Sequence, residues 1–452
     1  MLSTMKTETN RYSSEPIIRV GILAAPIVEF ELKGVFSLNG EMIAPGNYTA
    51  TIHNAKDFPQ TYRPTTPGST FILKDVTIGI GFHWEQKEDQ EFEGGLTLQA
   101  EGHSIRVVNE VPLESYLKSV ISSEMSAMND QNLLNTHAIV SRSWLLAQIQ
   151  NRGKCRDTTD YHTFAKATAR NDGTLNEIVK WYDREDHDTF DVCADDHCQR
   201  YQGITKVISE NAQKAIEATC GQVLMFNDEI CDARFSKCCG GITEDFENVW
   251  QPQKVPYLVA VRDFKPDSPD GYRGLKPVRF KDETFITTAP DAFCKTSDPE
   301  VLRQVLIDFD QITTDFYRWT VEYSQPEISE LIAKKSGFDF GEIVDLVPLE
   351  RGNSGRIIRL KIIGTQKEII VGKELEIRKW LSESHLYSSA FIVEKIRNEE
   401  NKIPSRFILH GAGWGHGVGM CQIGAAVMSH KGFTPLQILE HYFKGAKIKK
   451  IY

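Results

Sequence analysis

Two charged side chains sit where apolar ones are expected. In Val111 to Gln150, VPLESYLKSVISSEMSAMNDQNLLNTHAIVSRSWLLAQIQ, helical spacing aligns Leu113, Tyr116, Leu117, Val120, Ile121 and Glu124 on one face. A carboxylate on that face is costly unless compensated, and burial raises its pKa. Glu124 also falls near the end of the helical pattern, where the negative pole of the macrodipole disfavours charge. Both effects favour a protonated carboxyl, the form a general acid needs. In the next segment Leu134, Ala138, Arg142, Leu145 and Ile149 share a face, and Arg142 is its charged member. Asn129 or Asp130 is placed to cap this second helix and Gly153 to end it. Pattern alone leaves two readings open: a catalytic Glu124 accompanied by Arg142, or a structural Glu124–Arg142 ion pair.

A second chemical cluster follows. FDVCADDHCQRYQGI brings Cys193, His197 and Cys198 close together in sequence. Thiolate and imidazole at this density suit zinc, although the spacing is not that of a zinc finger. Asp195 and Asp196 equally allow an acidic loop. A complete shell needs a further ligand, and Cys239 in ARFSKCCGGITE fits best because its Gly-Gly turn lets the backbone approach closely. A Cys193–Cys239 disulfide is the rival use of the same atoms. Of the nine cysteines, all but Cys294 and Cys421 lie from Cys155 to Cys239, which suits a local site better than a disulfide framework spread over the chain.

The third is FILHGAGWGHGVGMCQIGAAVMSHKG, with Gly411, Gly413, Gly415, Gly417 and Gly419 at alternate positions. No placement satisfies GxGxxG, and Ala425 and Ala426 stand where a P-loop needs Lys and Ser or Thr, so a nucleotide cradle is excluded. Trp414 and His416 between the glycines point to backbone passing close to a sugar or to another chain segment.

These groups must be positioned by a mixed α+β chain. Residues 17–110 read as β-rich: Ile17–Leu23, Glu29–Leu38, Phe71–Ile80, Gly94–Leu98 and Ser104–Val108 are short strand-like runs. Residues 1–106 form an N-terminal β-rich region, 107–264 the first part of the core, 265–340 a helix-bearing insertion, and 341–452 a β-then-α C-terminal part. Strands are expected at Gln222–Phe226, Val344–Leu349, Ile357–Ile363 and Ala390–Lys395, and helices at Ala212–Thr219, Glu327–Lys335, Ile377–Leu381 and Pro435–Phe443, the last capped by Thr434. A net charge of −10 without basic runs argues against nucleic-acid binding. No apolar run reaches membrane-spanning length, and the first residues lack the basic leader and compact apolar core of a secretory signal.

Taken together, VPLESYLKSVISSEM, HAIVSRSWLLA, VCADDHCQRYQG, CCGGITE with Trp250, Arg378 with SSAF, and GAGWGHGVGMCQIGA followed by ILEHYFKG resemble, in order, the blocks of the SpoIID/LytB family (stage II sporulation protein D and amidase enhancer). The resemblance runs from about Val107 to the C-terminus, with 265–340 poorly matched. It implies a lytic transglycosylase acting on peptidoglycan glycan strands, especially strands without stem peptides. Glu124 occupies the place of the catalytic glutamate. Arg142, Trp414, His416 and Gln422 are the residues expected to bind or orient substrate, and Cys193, His197, Cys198 and Cys239 the expected zinc ligands. Phe235-Ser236-Lys237 stands where many members have a His, and Cys421 where Ser is usual. Such a substrate places the protein in the cell envelope. The enhancer name carries a second reading, a non-catalytic glycan-binding protein that stimulates a cell-wall amidase.

Overall fold

The computed structural model describes residues 12–452 apart from 54, 80–84, 126–129, 152–164, 170–174, 182–186, 196–197, 206–208, 265–283, 307–312 and 398–402. The fold is α+β. The chain divides into two compact units that it visits alternately: Met1–Gln150, Asp186–Asp232 and Lys447–Tyr452 make the first, Asn151–Glu185 and Ala233–Ala446 the second.

The first unit is built on sheets that are antiparallel except where Val192–Cys193 pairs in parallel with Ile17–Ala25. Its largest sheet runs, in spatial order, through Val192–Cys193, Ile17–Ala25, Ser104–Pro112, Gly95–Glu101, Gln60–Pro64, Phe36–Leu38 and Glu41–Ile43. A four-stranded sheet joins Gly46–Thr51, Ile27–Lys33, Thr70–Ile78 and Gln86–Glu93. Alternation explains the layering: Val28, Phe30 and Leu32 are buried while Ile27, Glu29 and Lys33 face out. Gln86–Glu93 is a strand that the sequence reading does not include.

Helix α1, Leu113–Glu124, follows the strand Ser104–Pro112 directly. Pro112 offers no side-chain cap. The orphan amides of its first turn are met instead from Pro16 O (3.0 Å to Leu113 N) and from Glu15 Oε1 (2.7 Å to Glu114 N). Leu113, Tyr116, Leu117, Val120 and Ile121 are wholly buried, as their spacing predicts. Helix α2, Gln131–Asn151, begins after Asp130, whose Oδ1 accepts the Asn132 amide at 2.9 Å. Asn129 and Gly153 lie outside the described residues. This helix is buried on nearly every side from Leu133 to Gln148, so the single apolar face expected for it is replaced by a central position. Its hydroxyls allow this: Thr136 donates to Asn132 O at 2.7 Å and Ser143 to Ile139 O at 2.6 Å. Helix α3, Glu210–Ala218, leads into a small sheet of Glu229–Ile230, Gln222–Phe226 and the chain's last strand, Lys447–Lys450.

The second unit holds a five-stranded sheet, Ala165–Ala169, Leu175–Lys180, Glu368–Gly372, Ile357–Gly364 and Ile343–Arg351, and a three-stranded one, Arg318–Ser324, Arg406–Ala412 and Phe391–Ile396. Arg318–Ser324, within the stretch read as a helix-bearing insertion, thus pairs along its length with Arg406–Ala412. Helix Gln325–Ser336 is closed by a Ser324/Glu327 capping box, and Pro435–Tyr442 by Thr434 and Gln437. No helix among the described residues is long and apolar enough to cross a membrane.

Candidate active site and cysteine centres

Glu124 is the last residue of α1, partly exposed where the rest of its stripe is buried. Its Oε1 accepts the backbone N–H of Arg200 at 2.9 Å. The segment that supplies this amide is laid along α1 by further bonds. Gln199 Oε1 accepts from the Tyr116 hydroxyl at 3.3 Å, and the Gln202 amide donates to Ser119 Oγ at 3.0 Å. Tyr201 stacks on Tyr116 at 5.0 Å and donates to Asn109 Oδ1 at 2.5 Å. Burial pushes the Tyr116 hydroxyl well above its ordinary range, with the sulfurs of Cys198 and Cys193 and the Glu124 carboxylate adding to it, so Tyr116 stays a neutral donor.

Upstream of Arg200 the same segment carries two thiols. Cys193 and Cys198 meet His187: His187 Nε2 lies 3.5 Å from Cys198 Sγ, and the Cys193 amide donates to Cys198 Sγ at 3.4 Å. One ligand atom from each of the three falls within 4.8 Å of the others. His187 is a candidate ligand that the sequence does not single out, because it lies in a polar stretch without periodicity. Its ring stacks on Phe190 at 4.4 Å. His197 lies outside the described residues.

Arg142 is fully buried, and its partner is not Glu124. Its Nη2 and Nε grip Glu114 at 2.5 and 3.0 Å, and Nη1 donates to Gln222 O at 3.0 Å. Glu114 also accepts the Gly221 amide at 3.2 Å and the Tyr452 hydroxyl. The expected Glu124–Arg142 pair is therefore replaced by Glu114–Arg142, ten residues earlier on the same helix. With no exposed surface, Arg142 ties α2 to α1 and to the strand Gln222–Phe226.

The remaining sequence-named residues belong to the second unit. Gly413, Gly415, Gly417 and Gly419 all have left-handed backbone (φ 75–91°). A Cβ on Gly419 would lie 2.0 Å from Arg234 O, and one on Gly417 2.4 Å from the Arg356 guanidinium. The alternation of glycines thus serves close crossing of other chain segments. Trp414, partly exposed, is braced by Phe316 and Tyr387, each at 4.6 Å. Burial, reinforced by Arg234, Arg356 and Arg378, holds His416 well below its ordinary pKa, so its ring is neutral and its Nδ1 accepts the Val418 amide at 3.0 Å. Gln422 is buried at the start of the helix Gln422–His430. Glu244, in the CCGGITE block, is a wholly buried carboxylate that accepts from Ser354 Oγ at 2.6 Å, Asn248 Nδ2 at 2.8 Å and the Asp245 amide at 2.9 Å.

Cys239 does not join the His187 group. It gathers with Asp263, Cys294 and Cys421 within the second unit. No disulfide joins the described cysteines, so the Cys193–Cys239 bridge is not formed. The sequence reading tied Cys239 to the earlier cluster because nothing local connects it to residues as distant as Cys421.

In the first unit, α1 thus presents a carboxylate at its end, beside a segment that carries His187, Cys193 and Cys198. Residues 101–226 match the family model described as "Stage II sporulation protein", which supports a SpoIID/LytB-like family for this part of the chain. Residues 244–419 match a second model, described as a domain of unknown function, and this match runs through the stretch 265–340 that the motifs leave poorly covered. Among relatives, the amidase enhancer of Bacillus subtilis is 23% identical over 241 residues, covering 53% of this chain and 33% of that protein. The chain therefore spans about a third of that relative's length. Stage II sporulation protein D of B. subtilis is 23% identical over 374 residues (79% and 82%), and an uncharacterized protein of Brachyspira hyodysenteriae 24% over 358 residues (79% and 72%).

Proposed function

We propose that the protein cleaves peptidoglycan glycan strands as a lytic transglycosylase, with Glu124 as its general acid and base. The observation that carries this reading is Glu124 itself: a partly exposed carboxyl at the end of an otherwise buried helical face, oriented by the Arg200 amide. The protonated carboxyl donates to the oxygen linking N-acetylmuramic acid to N-acetylglucosamine. As that bond breaks, the muramic C6 hydroxyl attacks C1, and the Glu124 carboxylate takes its proton. A 1,6-anhydro ring closes, and one carboxyl has served in both steps, so no second carboxylate at hydrolase spacing is required. Peptide-free strands in the cell envelope are the substrate class this reading assigns.

His187, Cys193 and Cys198 offer one imidazole and two thiolates within ligand distance, a donor set that fits zinc. When bound, zinc would supply a structural cross-link in the segment leading to Arg200. The protein's own bonds, Arg200 N–H to Glu124 and Gln202 N–H to Ser119, do the orienting.

Digestion of peptide-free glycan strands, followed by mass spectrometry, tests the proposal. Anhydro-muramyl ends are expected from the native chain. Glu124→Gln, folded by circular dichroism, is expected to lose at least about 100-fold in rate. Full activity in that variant, or reducing ends in place of anhydro ends, overturns the assignment. The amidase-enhancer relative motivates the other reading, in which the protein binds glycan without cleaving it. Intact strands together with faster release of stem peptides by an added amidase would favour that one.

A further inference from the structure

The second unit contains a thiol-rich centre that the proposed reaction does not use. Cys239, Cys294 and Cys421 are each at most 2% exposed, and Asp263 is fully buried. They arrive from different parts of the chain. Cys239 precedes the Gly240–Gly241 turn, Asp263 and Cys294 come from separate stretches after it, and Cys421 caps the helix Gln422–His430. Cys239 Sγ lies 3.6 Å from Cys294 Sγ and 3.5 Å from Asp263 Oδ2, and all four ligand atoms are within 4.8 Å of one another.

These distances discriminate. A disulfide needs sulfurs about 2.05 Å apart. Tetrahedral zinc, with Zn–S about 2.3 Å, sets its thiolates about 3.8 Å apart, close to what is found. Backbone amides also point at two of the sulfurs. The Gly241 amide donates to Cys239 Sγ at 3.4 Å, and Cys421 Sγ accepts from the amides of Cys239 at 3.2 Å and Gly424 at 3.4 Å. Asp263 is oriented by the Tyr442 hydroxyl at 2.7 Å and the Cys294 amide at 3.0 Å, with His441 Nε2 3.7 Å away. Among the described residues no lysine or arginine forms an ion pair with Asp263. A buried carboxylate among sulfurs is costly without a cation, and a divalent ion is the cation this geometry accommodates.

We propose that Cys239, Cys294, Cys421 and Asp263 hold a structural zinc ion that cross-links the Gly-rich segment to the rest of the second unit. The site shares no residue with the His187 group, and the inference does not depend on the glycan-cleaving activity.

The test uses the full chain carrying Cys193→Ser and Cys198→Ser, which removes the first cluster. Prepared under reducing conditions, this chain is expected to retain about one zinc per molecule by native mass spectrometry and elemental analysis. Exchange for cobalt should give the strong visible bands of tetrahedral cobalt thiolate. Adding Cys294→Ser should remove both signals. A folded C193S/C198S chain that takes up neither zinc nor cobalt overturns the site, whether or not the Cys294 variant folds. A Cys239–Cys294 disulfide in the non-reduced peptide map, or an iron–sulfur chromophore, overturns it as well.

Discussion

At the scale of single residues, Arg142 carries the most architectural weight. Removing one member of a buried ion pair leaves the other charge without compensation, which typically costs about 3–5 kcal/mol. Arg142→Met is expected to lose that much in urea unfolding. Glu114→Gln combined with Arg142→Met should lose clearly less than the sum of the two, since each removes the other's orphan. Arg142→Lys keeps the charge but not the fork that holds both Glu114 oxygens. We expect it to be destabilised, while its activity per folded molecule stays within about twofold of native if Arg142 only builds the scaffold. A large loss of rate at full stability would restore a role in catalysis. Glu124 was legible in the sequence because one carboxylate interrupts a local stripe. Which carboxylate faces Arg142 was not, because Glu114 and Glu124 lie on one helix and only its packing against α2 selects between them.

Elements show a similar division. The strand Gln222–Phe226 lies where its apolar run ends at flanking turns, and the helix Gln325–Ser336 lies where its Ser-Gln-Pro-Glu start announces a cap. Gln86–Glu93, QKEDQEFE, does not announce a strand, because it lies at a sheet edge and buries only Gln90 and Phe92. Its remaining positions stay solvated, with Asp89 paired to Lys74 at 2.9 Å, as suits an edge that must not recruit another strand. The helix Glu374–Trp380 carries a different tension, since Lys373 stands at its N-cap, where the dipole disfavours a cation. Burial lowers the Lys373 pKa from 10.5 to about 8, and its Nζ sits 3.9 Å from the centre of the Trp181 ring. A lowered lysine pKa means that the unfolded chain binds more protons between these values, so Lys373 makes stability rise with pH from about 8 to 10.5. Below that window its charge is a full burden, on the order of 3 kcal/mol. Lys373→Met should therefore raise the urea midpoint at pH 7, with the gain shrinking as pH approaches 10.5. A gain that stays constant across this range would count against the titration.

For the whole molecule, the alternation of the chain between two units makes the C-terminus part of the first one. Lys447–Lys450 pairs with Gln222–Met225, Ile451 is buried, and the Tyr452 hydroxyl reaches Glu114. Gly221 is required there, since its φ is +69° and a Cβ would lie 2.6 Å from Tyr452 O. Deleting Lys447–Tyr452 should cost about 3 kcal/mol or more from the lost apolar burial and strand pairing. Amide exchange should quicken in Gln222–Phe226 while the second-unit helix Pro435–Tyr442 keeps its protection. Uniform loss of protection in both units would contradict that division. By itself, the sequence determined what local periodicity and short motifs encode: an α+β chain, the stripe ending in Glu124, the capped helices and the SpoIID-like blocks. Only the tertiary structure decided which distant groups meet. Glu114 facing Arg142 and Cys239 meeting Asp263, Cys294 and Cys421 depend on packing between elements, where residues far apart along the chain become neighbours and no local spacing records it; His187 is near Cys193 and Cys198 in sequence, but only the folded loop turns its ring towards them.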